Sequence, residues 1–127
     1  MDNAEFRLVM RGNIRDTLDL WSSAEQQLRY EADVPHVYVP IEMFSWWFDD
    51  HYHPDSPDWF AFFSAAEVEA MTQFNAVLEA SDDTLEAALE SGASVARLQE
   101  LSLWRAFMEA ARIARESFPT QEGGTGG

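Results

Sequence analysis

The chain has 127 residues, a formal net charge of −15 at pH 7, and neither Cys nor Lys, so its eight positive charges are all Arg. That length suits one domain rather than two, and the missing Cys excludes disulfides, thiolate nucleophiles and zinc–thiolate sites. No apolar run reaches the roughly 18 residues that a membrane span needs, and MDNAEFRLVM lacks the basic-then-apolar order of a signal peptide, so the expectation is a cytoplasmic protein that enters no membrane.

In chain order, Ala4–Met10 reads as a strand or a helical turn, with Gly12-Asn13 after it as a breaker. In a helix, Arg7, Arg11 and Arg15 would form one basic stripe, either a solvated face or a counter-charge for acids elsewhere. Ile14, Leu18, Trp21, Leu28 and Ala32 keep helical spacing and predict a helix over 14–32. Ser22 with Glu25 has capping-box spacing, which offers Ser23 as an alternative start. Asp33-Val34-Pro35 ends this element, because the residue before Pro avoids the α region.

His36–Val39 reads as a short extended piece. Pro40 stands at a first helical position, and IEMFSWWFDD continues as a helix. In that helix Ile41, Phe44 and Phe48 with Trp47 make the inward face, whereas Glu42, Ser45, Trp46 and Asp49 share another. Pro54 and Pro57 force a loop over Tyr52–Trp59. Ser64-Ala65-Ala66-Glu67 is a capping box opening a helix over Ala65–Ala80, so Ser64 reads as a cap rather than a nucleophile, as does Ser94. Ser81-Asp82-Asp83 caps Thr84–Ser91, which Gly92 closes. From Ser94, the residues Leu98, Leu101, Trp104, Met108, Ala111 and Phe118 keep helical spacing as far as Pro119.

The fold expected is mainly α, a single-domain helical bundle of about five helices over residues 1–118, followed by a disordered Gly-rich tail at 119–127. A two-stranded ribbon joining Phe6–Met10 to Val37–Val39 would make it α+β instead.

Charge and rings are both concentrated in the middle of the chain. Residues 31–96 hold fourteen acids and no Arg. Within them, residues 34–63 carry three of the five Trp, five of the nine Phe and all three His. Self-repulsion of this size is commonly tolerated for solubility. Its functional reading is a negative surface facing a basic partner, with association that weakens in salt. Direct nucleic-acid binding is disfavoured, since phosphates need clustered cations.

Trp46-Trp47 strengthens that reading. Adjacent helical residues point about 100° apart, so one of the two rings lies at the domain edge, where rings and acids together suit an Arg-rich or Lys-rich surface. Asp49-Asp50-His51-Tyr52-His53-Pro54-Asp55 contains metal-ligating residue types but matches no established ligand spacing. A metal-dependent enzyme using His51 and His53 is therefore kept only as an alternative. No catalytic residue, metal or cofactor is assigned.

Val39-Pro40-Ile41-Glu42, Trp46 and Asp49, followed by Phe63-Ser64-Ala65-Ala66-Glu67 and Phe74, form an order that resembles small acidic bacterial toxin-immunity proteins over about residues 37–80. The resemblance implies a cytoplasmic protein that neutralises a cognate toxin by stoichiometric binding, without catalysis or cofactor. Phage-type antagonists that mimic nucleic acid belong to the same physical class. The expected contact residues for a basic toxin or nuclease are Glu42, Trp46, Asp49, Asp50, Tyr52 and Asp55, with Asp82, Asp83 and Glu86 as outlying charges. The alternative partner is a second copy of the chain, in a homodimer or an assembly subunit.

Overall fold

A computed structural model describes residues 3–118. The tail expected to be disordered at 119–127 lies outside them. Among the described residues there are seven α-helices and no strand: α1 (Asn3–Ser22), α2 (Ala24–Asp33), α3 (Val39–Ser45), α4 (Ala65–Leu78), α5 (Asp83–Glu90), α6 (Val95–Leu98) and α7 (Ser102–Arg115). A π-helical turn, Trp46–His51, extends α3, and a 3-10 turn, Trp59–Phe62, precedes α4. The mainly α bundle is the observed fold. The α+β alternative fails because Phe6–Met10 is part of α1 and Val37 lies in a turn. None of these helices is long and apolar enough to cross a membrane.

Side-chain caps set four of the helix starts. Ser23, Ser64, Asp82 and Ser94 accept from the N–H groups of Gln26, Glu67, Leu85 and Arg97, each satisfying a donor that a helix N-terminus leaves without a partner. Ser64 and Glu67 form the expected reciprocal capping box. Gly92, at φ +73°, follows α5 in the left-handed region where glycine is favoured.

Three sequence expectations are corrected. First, α1 runs straight through Gly12-Asn13. An interior glycine costs a helix about 1 kcal/mol, and complete burial of Ile14, Leu18 and Trp21 outweighs it. Second, the 14–32 segment breaks at Ser23, so the alternative start there is the observed one. Ser23 caps α2, while Ser22 Oγ donates back to the Asp19 carbonyl (3.1 Å). Third, the final helix is divided at Leu101, which is extended at φ −85°, ψ 137°. Arg105 Nε donates to the Gln99 carbonyl at that break (2.9 Å).

The central packing is that of α7 along both α1 and α4. Trp21 stands among Phe44, Phe74, Trp104 and Phe107 at centroid distances of 5.1–6.2 Å, mostly edge to face. From Phe74 the rings continue through Trp47 (4.8 Å), Tyr52 (4.7 Å), Trp59 (5.2 Å) and Phe63 (4.6 Å). The ring-rich middle of the chain thus contributes Trp47, Tyr52, Trp59 and Phe63 to the buried core.

Candidate binding surface

The candidate surface begins where α3 widens into its π turn. Tyr52 N–H reaches the Trp47 carbonyl, five residues back, at 2.9 Å. A turn with an extra residue shifts the phase of everything after it, and such turns recur at functional sites. The expected inward face is corrected both ahead of this turn and within it. Val39, Pro40, Met43 and Trp47 are buried, whereas Ile41 and Phe48 are 49% and 39% exposed. Tyr52 is carried inward and stacks on Trp47.

The nine residues expected at the contact are therefore distributed over separate regions. Glu42 and Trp46 lie beside Tyr30, whose ring is 5.0 Å from that of Trp46. Burial, and then the Glu42 carboxylate, push the Tyr30 phenol pKa above its ordinary value. Trp46 is half-buried and lines a shallow groove that also contains Arg29, so this part of the surface is not bare of cations. Asp49 and Asp50 are exposed on the π turn, and Asp55 is exposed on the following loop. Tyr52 is only 8% exposed, so its ring serves the core before it can serve a partner. Asp82, Asp83 and Glu86 sit at the start of α5, with Asp82 occupied as its cap, and line neither the groove nor the cleft described next.

That cleft has a volume of about 950 Å³ and lies between the start of α1, the π turn, the 52–59 loop and the end of α4. It brings Phe6, Phe48, Tyr52 and Phe62 together with Asp55 and Glu79. The sequence reading missed Phe6 and Glu79 because nothing local links positions 6, 48, 62 and 79. Composition alone could have marked Phe6 as an isolated ring beside Arg7.

His51 and His53 differ in their surroundings. His53 Nε2–H donates to the Asp50 carbonyl (2.8 Å), while His51 Nδ1 is buried with no hydrogen-bond partner. Among the described residues no three His, Asp or Glu side chains gather into a group that could hold a metal ion.

Burial holds the His51 pKa below the ordinary 6.5, with Asp50 acting in the opposite sense. The unfolded chain then takes up a proton that the folded chain resists. This part of the stability is full above pH 6.5 and is lost as the pH falls through the window below it. In calorimetry from about pH 7 to about pH 5, the melting temperature of the natural chain is expected to fall more steeply than that of His51→Leu. Parallel curves would contradict it.

Away from the surface lie two buried polar arrangements. Arg11 forms an ion pair with Glu67, so the basic stripe of α1 does serve as a counter-charge at this position. Gln27, completely buried, joins α1, α2 and α7 through hydrogen bonds to Leu20, Trp21 and Trp104. The chain matches no protein-family model, no curated protein and no solved structure.

Proposed function

We propose that this chain is an acidic binding protein that covers a basic surface of a protein partner, in the simplest case a cytoplasmic immunity protein acting against a bacterial toxin or nuclease. One observation carries the reading: Asp49, Asp50 and Asp55 stand exposed along one short stretch beside the exposed Phe48 ring, and none of the ion pairs among the described residues includes them. Unpaired carboxylates at such density repel one another, and a cationic partner relieves that repulsion. Rings that border them add contact area which excludes water. The resemblance of residues 37–80 to immunity proteins points the same way.

The test is charge reversal. Asp49→Lys with Asp50→Lys is expected to weaken capture of a basic protein from the host's extract on the order of 100-fold, with the melting temperature nearly unchanged because both residues are exposed. Binding by the natural chain should fall as salt rises. Unchanged capture by the reversed chain would remove the reading.

A homodimer is the second reading, favoured by Phe6, Leu8 and Val9 of α1, all more than 40% exposed. Light scattering that gives the monomer mass across the micromolar range would eliminate it.

A further inference from the structure

We propose that the 950 Å³ cleft receives an arginine side chain of the basic partner, its guanidinium held between the exposed rings and the carboxylates of Asp55 and Glu79. The inference rests on the reading above and states where on this surface the partner's positive charge is taken up. The cleft is far larger than one side chain, so it admits the loop that carries the arginine.

Its walls suit that occupant. Phe6 and Phe48 are each about two-fifths exposed, and Phe6 meets Phe62 edge to face at 5.2 Å. A flat guanidinium stacks on such rings while its methylene stem covers apolar surface, and its N–H groups need carboxylate acceptors nearby. Glu79 is positioned to supply one. Trp47 Nε1–H donates to Asn75 Oδ1 (3.0 Å), which fixes the Asn75 amide with its NH₂ group donating to Glu79.

The Glu79 charge reaches into the cleft. The Tyr52 phenol pKa is raised first by burial and also by Glu79, with the nearby Thr72 acting in the opposite sense. Two cations of the neighbouring α1 border the Phe62 wall, and each is held by a partner of its own. Arg7 Nε donates to the Phe62 carbonyl (3.1 Å), and Arg11 is paired with Glu67. Neither Asp55 nor Glu79 forms an ion pair among the described residues. Aromatic faces and unneutralised carboxylates on one concave surface favour a cation over a neutral apolar group.

The probe is the blocked peptide acetyl-Gly-Arg-Gly-amide, titrated into the full chain and followed by NMR at the Trp59 indole N–H and the Glu79 amide. Its control carries citrulline, the uncharged isostere of arginine. The expected result is saturable shifts at both reporters with the arginine peptide and none with citrulline. Binding should weaken about fivefold in Glu79→Gln, which keeps the Asn75 hydrogen bond but loses the charge, and further when Asp55→Asn is added. Equal response to citrulline, shifts confined to the π turn, or no shift at the Trp59 indole would each overturn the proposal. If charge reversal at Asp49 and Asp50 still abolishes capture while the cleft stays silent, the binding reading stands without this inference. If no basic partner is captured but the cleft takes the peptide, that reading fails instead.

Discussion

Replacing Arg11 by Met is expected to lower the stability of the fold by about 3–5 kcal/mol, the range found when one partner of a buried ion pair is removed. Glu67 is 1% exposed and Arg11 5%. The Glu67 carboxylate accepts from Arg11 Nη1 (2.6 Å), from Arg11 Nη2 and from Ser64 N–H (2.8 Å). With the guanidinium gone, its charge is left in the interior with a single backbone donor, where water cannot solvate it. A domain of this size has only about 5–15 kcal/mol in total. Arg11→Met combined with Glu67→Gln should restore most of the loss, since Gln keeps an acceptor for Ser64 N–H and has no charge to desolvate. Urea unfolding of the single and double variants measures both. A single-variant loss below about 1 kcal/mol would place the pair among ordinary surface bridges.

Gln27→Leu is expected to cost about 3 kcal/mol, or roughly 10–15 °C in melting temperature. Gln27 Nε2 donates to the carbonyls of Leu20 (3.0 Å) and Trp21 (2.9 Å) where α1 ends and α2 begins, and Leu20 also accepts from Ser23 N–H (3.3 Å). Its Oε1 accepts from Trp104 Nε1 (3.1 Å) and Gln99 Nε2 (3.1 Å). Both amide hydrogens and both lone pairs are thereby used. Leucine fills the same space but leaves the Trp104 indole N–H buried and unpaired, together with the Trp21 carbonyl, while Leu20 keeps its bond from Ser23 N–H; such groups cost about 1–3 kcal/mol each before relaxation. A melting curve close to that of the natural chain would mean that the α1–α2 break is held by packing alone.

Both sites had ambiguous readings at the level of pattern. Glu67 was legible as a capping-box residue, and it is one, but that local role also satisfies one carboxylate oxygen and gives no hint of Arg11, fifty-six positions away. Gln27 sits in a run of polar letters, Glu25-Gln26-Gln27, and nothing in the run marks which member turns inward. The rings misled in the opposite direction. Trp47, Tyr52 and Trp59 stand among acids in sequence, yet each is less than 9% exposed, because neighbouring residues on a turn can face opposite media. The acids of the same segment go outward, so one stretch supplies core and surface together.

The sequence by itself determined that most of this chain is helical, leaving only Phe6–Met10 and Val37–Val39 open to a ribbon, because apolar spacing near 3.6 residues, Ser and Asp caps, and prolines in the breaks are local properties that no distant contact needs to complete. It likewise determined the negative middle, since charge is a property of composition. Only the tertiary structure decided which ring remains open, which carboxylate is neutralised, and that Phe6, Phe48, Phe62 and Glu79 share one cleft. Those outcomes depend on the phase of one π turn and on pairings dozens of residues apart, where small differences in burial and desolvation select among arrangements that the local pattern leaves equivalent.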